Sequence, residues 1–281
     1  MITSSAECRV VKVFNNNVIL VLQQEKEKII FEKGIGFGKH PEDVMEINLS
    51  ISKVFSLENR DNSIKFKQLI TKVDDQTIGL CEEIIYMISK ELNEELDERI
   101  HISLTDHIAF TLFRLKQLDE IENPFSVVTE TLYKSEFIIA RKAVAMIEKE
   151  MGIRIPDGEI GFITLHIHSA RNKGKLSNTM KYTYLSSSVM ELIEAELKIE
   201  IDTTSLDYAR FLIHIRFAIE RIMNNCQIKN ELLSAIKRTL KLSYKLSKKV
   251  ATLIEEDLNL KVKDDEIGYI AMHIERFKNT I

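Results

Sequence analysis

The chain repeats itself. Two histidine pairs, His107 with His166 and His214 with His273, share the same internal spacing and are related by a single offset along the chain. The flanks match at that offset. "DGEIGFITLHI" from Asp157 returns as "DDEIGYIAMHI" from Asp264, and "HIAFTLFRL" from His107 returns as "HIRFAIERI" from His214. Phe110 thereby matches Phe217, and Arg114 matches Arg221. A long self-similar period marks a tandem domain, because a whole folding unit has been copied. Whatever residues 107–167 form, residues 214–274 are expected to form again.

Composition points to helices for the duplicated part. The 281 residues hold only 9 Gly and 3 Pro, few turn formers for a chain this long. From about Ser63 onward the apolar residues recur at helical spacing, and Ile78, Cys81, Ile84, Ile85, Ile88 and Leu92 fall on one broad face. "SEFIIARKAVAMIEKEMG" repeats the pattern and ends at Gly152, a candidate helix C-cap. Pro156 then precedes a helix that Asp157 can cap and that carries His166. Residues 172–183 are polar and poorly periodic, and read as a linker. The second copy is expected to form helices near 188–197, 207–223, 230–257 and 264–277.

Residues 1–57 read differently. "RVVKVFNNNVILVLQ" is β-branched and aliphatic, broken by Asn15, Asn16 and Asn17 as a turn between two strands. "EKIIFEKGIGFGKH" is a further strand running into Gly34, Gly36 and Gly38. "INLSISKVFSL" alternates at period two, with Ile47, Leu49, Ile51, Val54 and Phe55 as candidate core residues. These make a compact antiparallel module of three or four strands. A module of this size is marginal alone, so a second copy is expected to cover its open face, giving a homodimer. The fold class is multidomain α+β. A small antiparallel β module (1–60) is followed by two homologous all-α helical-bundle domains (61–172 and 173–281).

Charge and cysteine usage exclude several classes. Apolar residues make up 44% and charged ones 29%, the balance of a soluble globular chain, and the net charge of −4 gives no hint of bulk nucleic-acid binding. Residues 1–57 hold seven basic and seven acidic side chains, so charge alone does not mark them as RNA-binding. Cys8, Cys81 and Cys226 are odd in number and far apart, which fits a reduced, cytoplasmic setting. The N-terminus carries no signal-like apolar run and no stretch reaches about 18 apolar residues, so membrane insertion is not expected.

The four repeated histidines admit three readings. The first is inherited packing. The second is a metal site, since histidine with carboxylate suits zinc or iron. Asp106-His107 resembles the pair of a metal-dependent phosphohydrolase, but the order is Asp-His and the second copy has Ile213-His214. The third is phosphoryl acceptance. A neutral imidazole nitrogen attacks an activated phosphoryl group, and the added negative charge can rebuild or break an interface. His101 and His168 have no repeat partner, since the offset lands on Tyr208 and Glu275, and His40 lies in the β module. These three are set aside as incidental. No catalytic centre, resident metal or cofactor is expected.

Taken in order, these motifs resemble the BglG/SacY/LicT transcriptional antiterminators across essentially the whole chain. "KVFNNNVILV" and "KGIGFGK" resemble the co-antiterminator RNA-binding domain. "SLTDHIAF" with "DGEIGFITLHI" resembles a first phosphotransferase-system regulation domain (PRD), and "YARFLIHI" with "DDEIGYIAMHI" a second. The resemblance implies a non-enzymatic regulator whose β module dimerises and binds an RNA hairpin in a nascent mRNA leader, preventing termination in a sugar-utilisation operon. It places Lys12, Asn15, Asn17, Lys33, Gly34 and Phe37 at the RNA, and makes His107, His166, His214 and His273 the phosphorylation sites. It further implies that a sugar-specific enzyme II permease phosphorylates the first pair, which inhibits. The phosphocarrier HPr would phosphorylate the second, which activates. Asn amides can read base edges in an opened loop, Phe37 can stack, and Lys can meet phosphate. Glu32 departs from the pattern, standing where the family usually carries glycine. Two alternatives are a metal-dependent phosphohydrolase and a PRD-containing DNA-binding activator, which would need a helix-turn-helix that the β-type N-terminus does not offer.

Overall fold

Residues 6–47, 51–226 and 228–279 are described in a computed structural model of the chain. Strands β1 (Ala6–Val13), β2 (Val18–Gln23), β3 (Lys26–Phe31), β4 (Val44–Ile47) and β5 (Lys53–Ser56) form one antiparallel sheet in the order β4-β1-β2-β3-β5. The sheet therefore has five strands rather than three or four. The alternating run read as one strand feeds two: β4 pairs with β1 at one edge and β5 with β3 at the other. Leu49, expected in the core, lies outside the described residues, and so does the side chain of Ile47.

β2 is the central strand, and its sequence "VILVLQ" explains why. Val18 and Leu20 face one side and join Ile29 and Phe55, whereas Ile19 and Val21 face the other and join Val10 and Ile30. A strand buried on both faces is apolar at every position, not at alternate ones.

Helices follow in chain order: α1 (Arg60–Leu69), α2 (Asp75–Leu92), α3 (Ile100–Lys116), α4 (Ser126–Leu132), α5 (Lys134–Met151), α6 (Asp157–Arg171), α7 (Leu176–Leu197), α8 (Leu206–Met223), α9 (Leu233–Thr239), α10 (Lys241–Leu258) and α11 (Asp264–Lys278). They fall into two compact units. One comprises residues 1–123 with 135–176, and the other residues 124–134 with 177–281.

In the first unit the sheet and the helices share one core. Val18, Leu20, Ile29 and Phe55 pack with Phe66 of α1, with Ile78, Ile84 and Ile85 of α2, and with Leu104 of α3. Asp74 starts α2 by accepting a hydrogen bond from the Thr77 amide at 2.8 Å, and Asn93 in the left-handed region (φ 52°) ends it. The expected apolar face of α2 is buried, except that Leu92 is only partly so. The chain's own helices thus cover the sheet face that a second copy was expected to cover. The apolar layer over that face comes from α1, α2 and α3.

The second unit is built on Leu185, Val189, Leu212, Ile215, Ile219, Val250, Ile254, Ile270 and Ile274. α4 belongs to this unit although it lies between two helices of the first, and it packs on α8 with Val128 in the core. Its repeat counterpart α9 packs on α10 and α11.

Three local expectations change. Most of the expected linker is helix, because α7 begins at Leu176. Thr179, Thr183, Ser186 and Ser187 are buried, and Thr183 Oγ1 donates to the Thr179 carbonyl at 3.0 Å, so a polar-looking face packs inward. The helix expected over 230–257 breaks at Leu240 (φ −105°, ψ 46°), as the first copy breaks at Tyr133 (φ −131°, ψ 47°). Asp157 is not a cap: Pro156 holds the N-cap position, and Asp157 with Glu159 places negative charge in the first turn. Gly152 does close α5, with φ 65° and its amide donating to the Glu148 carbonyl at 2.9 Å.

Ile84→Ala is expected to cost about 2–5 kcal/mol through the cavity it leaves. Because sheet and helices share that core, denaturant unfolding followed by a sheet probe and by helical circular dichroism should shift together.

Candidate functional site

Each repeat brings its two histidines together. His107 on α3 and His166 on α6 have ring centroids 5.0 Å apart, and His214 on α8 and His273 on α11 stack at 3.8 Å with planes 16° apart. The helix pairs are held by a duplicated ion pair. Arg114 Nη2 donates to Glu159 Oε1 at 2.7 Å; Arg221 donates to Glu266 through Nη2 at 2.5 Å and Nε at 3.1 Å. Asn123 and Asn230 add a second duplicated tie. Their side-chain amides donate to the carbonyls of Gly158 (3.0 Å) and Asp265 (3.4 Å). The sequence reading matched Arg114 with Arg221 but missed both glutamates and both asparagines. Their signal was their retention at the repeat offset.

The pairs differ in electrostatics. His107 Nε2 sits 3.1 Å from Glu159 Oε2, and the buried His166 places Nδ1 3.3 Å from Ser103 Oγ. Burial, with His107 alongside, pushes the His166 imidazole down to about 3. Burial works to raise the Glu159 carboxyl, but His107, Arg114 and Thr111 outweigh it and hold the group below its ordinary value. In the second repeat His214 is exposed and His273 partly buried. Burial first, then His214, Arg221 and Arg276, brings His273 down to about 4. Burial, Arg276 and Arg221 lower His214 as well. Arg210 and Arg276 line the same surface depression as both rings. At the repeat offset the first copy has Ser103 and Ser169 there. His166 and His273 are therefore neutral near pH 7 and keep a nucleophilic lone pair.

The histidines set aside have structural partners or lie apart. His101 Nδ1 meets Glu82 Oε2 at 2.6 Å, both buried, with the Phe55 ring against it at 4.7 Å. His168 Nδ1 meets Glu136 Oε1 at 3.0 Å, and His40 is exposed in the β module. Among the described residues no group of three or more His, Cys, Asp or Glu is placed to hold a metal ion.

The asparagine turn and the glycine loop form a single polar edge at one end of the sheet, where β1 turns into β2 and β3 runs out. Asn15 Oδ1 accepts from the amides of Asn17 (2.8 Å) and Val18 (2.9 Å), shaping the turn. The Gly34 amide donates to Asn17 Oδ1 at 3.0 Å, and the Gly36 amide to the Asn16 carbonyl at 2.9 Å. A Cβ on Gly36 would lie 2.2 Å from the Asn15 carbonyl oxygen, so only glycine lets the loop approach. Glu32 accepts from Ser52 N at 2.6 Å and Ser52 Oγ at 2.5 Å, and these bonds hold its carboxyl below the ordinary value. The acid that departs from the family pattern thus ties the end of β3 to the approach of β5.

The six candidate RNA residues divide at this edge. Phe37 is 79% exposed, and Lys33 and Gly34 are also exposed. The other three touch α2 or its approach. Lys12 Nζ pairs with Asp75 Oδ1 at 2.7 Å and donates to the Ile70 carbonyl at 3.2 Å. Asn15 Nδ2 and Asn17 Nδ2 both donate to Glu83 Oε1, at 2.9 and 3.0 Å.

Comparison with known proteins settles the family. The CAT RNA binding domain model matches residues 8–63, and the PRD domain model matches residues 82–170 and 187–277. Transcription antiterminator LicT of Bacillus subtilis (strain 168) is 35% identical over 272 residues, covering 95% of this chain and 98% of that one. The chain belongs to the BglG/LicT/GlcT family of transcription antiterminators. Protein GlcT of Staphylococcus haemolyticus is 32% identical, covering 98% of each chain. A crystal structure of GlcT CAT-PRDI matches with a TM-score of 0.52 and 42% identity, covering 59% of this chain and 98% of that one. This antiterminator is a non-enzymatic regulator with an RNA-binding CAT domain and two PRDs under phosphotransferase-system control. None of its described helices is long and apolar enough to cross a membrane.

The depressed His166 value has a pH consequence. The unfolded chain takes up a proton near pH 6.5 and the folded chain only near 3, so stability is unaffected above about pH 6.5 and falls below it. At pH 5 this group alone costs about 2 kcal/mol. Denaturant unfolding at pH 7.5 and pH 5 is expected to show a smaller acid loss in His166→Gln than in the unaltered chain.

Proposed function

We propose that the CAT domain binds an RNA hairpin in the leader of a sugar-utilisation operon's nascent mRNA, as a homodimer in the cytoplasm. Lys12, Asn15, Asn17, Lys33, Gly34 and Phe37 make the contacts. Stabilising that hairpin prevents the overlapping terminator from forming, and phosphorylation of His107, His166, His214 and His273 sets whether this happens. The enzyme II permease acts on the first pair and HPr on the second. The working division of the chain is residues 1–60 for RNA and 61–172 and 173–281 for regulation.

The observation that carries the phosphorylation reading is that both repeats bring two histidines to within one ring contact of each other. Inherited packing accounts for the helices but not for two imidazoles kept neutral beside a second ring. The difference between the repeats supports opposite effects. A phosphoryl group added at His107 comes against Glu159, and like charge strains the Arg114–Glu159 tie between α3 and α6. One added at His214 or His273 enters a depression lined by Arg210 and Arg276, two guanidinium groups against the single carboxylate of Asp207, and these hold it.

Binding of the full chain to the leader hairpin of its own operon tests the reading; a folded chain that fails to bind would sink it. Asn17→Ala or Phe37→Ala is expected to weaken binding about tenfold, on the scale of losing one stacked or hydrogen-bonded base, and to leave the oligomeric state unchanged by light scattering. His107→Ala is expected to give antitermination without the inducing sugar in a reporter strain. Unchanged induction would remove the inhibitory role.

A further inference from the structure

We propose that the N-terminal part of α2 is a docking surface for the RNA-binding edge of the same chain, and that it competes with RNA for Lys12, Asn15 and Asn17. This inference rests on the RNA contacts proposed above and names the regulation of that site.

α2 offers the edge what a phosphate backbone would offer. Asp75 supplies a carboxylate to Lys12, and Glu83 supplies one oxygen to the amides of both Asn15 and Asn17. The fit is steric as well as electrostatic. Gly79 lies between those two acids on α2, where an added Cβ would meet Asn15 Nδ2 at 2.5 Å and Asn15 Cγ at 2.8 Å. Glycine is disfavoured relative to alanine in the interior of a helix. At this position it lets the asparagine turn seat on the helix.

RNA cannot enter while the edge is docked. A cavity of about 200 Å³ beside the turn is lined by Asn15, Asn16, Asn17 and Gln76 together with Glu83 and Glu150. Two carboxylates there repel a phosphate backbone. Apolar contacts behind the edge hold the docked form: Phe31 stacks on Tyr86 at 3.9 Å, and Val18, Leu20 and Ile29 share a core with Ile78, Ile84 and Ile85. Phe37, Lys33 and Gly34 stay exposed. The docked edge thus presents three residues of its recognition set and holds the other three, half-buried, in bonds to α2 and its approach, so RNA must displace α2 from the edge to engage all six residues.

Two variants of the full chain separate docking from charge. Asp75→Asn with Glu83→Gln weakens the polar contacts but also removes two negative charges, which by itself favours any RNA. Gly79→Ala changes no charge, favours the helix, and forces the Asn15 side chain out of its seat on α2. Titration with the leader hairpin at fixed salt is expected to show tighter binding by about fivefold in both variants, the scale of a few partly exposed polar contacts. No gain in either variant, or a gain in only one of them, overturns the proposal. If Phe37→Ala still weakens binding in that case, the RNA reading stands and only the competition falls. If neither the unaltered chain nor the variants bind the hairpin, both fall.

Discussion

The apolar contact between the inner face of the sheet and α2 is the constraint on which the rest of the first unit depends. Val18 and Leu20 project to the same side because strand side chains alternate, and Ile78, Ile84 and Ile85 return to one face because a helix turns every 3.6 residues. Each pattern leaves an apolar surface that is stable only when covered. Joining them gives the module of residues 6–56 a larger core than the small cluster of Cys8, Val10, Ile19, Val21 and Ile30 on its other face. The same contact sets where the polar edge falls: with β2 and β3 seated on α2, the turn of Asn15 to Asn17 and the side chain of Lys12 meet Asp75 and Glu83.

A second constraint is the arginine–glutamate tie between the two histidine-bearing helices of each PRD, buried in the first and with Arg221 one-third exposed in the second. A buried charge pair is kept only when both partners are hydrogen-bonded, and breaking one partner is costly. Arg114 with Glu159 and Arg221 with Glu266 satisfy that condition, and they fix the helices so that the rings face each other. The duplication preserved the tie and the rings but not the surroundings. Serines stand in the first copy where Arg210 and Arg276 stand in the second. The two seats therefore differ in charge: Glu159 stands beside His107 in the first, whereas Arg210 and Arg276, with Asp207, line the second.

Much of this was legible in the residues. The repeat offset required equivalent seats for the four histidines, and the structure brings each pair to ring contact. The asparagine turn and glycine loop were visible as separate motifs. Their union at Gly36 was not, because a 2.2 Å clash with the Asn15 carbonyl exists only once the two loops are folded side by side. α7 was hidden for another reason. Its buried Thr179, Thr183, Ser186 and Ser187 carry the polarity of a linker, and small hydroxyls bonding back to their own helix leave no apolar period to detect.

By itself the sequence determined the division into a β module and two helical copies, the duplication, the chemistry available at the histidines and the residue types of the asparagine turn and glycine loop. These are properties of local pattern, set by the alternation of strands, the turn of helices and a copied segment. Tertiary structure alone decided which surfaces meet. It placed α4 in the second unit on α8, whereas its counterpart α9 packs on α10 and α11. It also set Glu83, an ordinary acid in a helical run, against two asparagines from a strand turn far earlier in the chain. Apolar burial is non-directional, so a pattern says that a face must be covered and leaves the choice of cover to the packing of the whole chain.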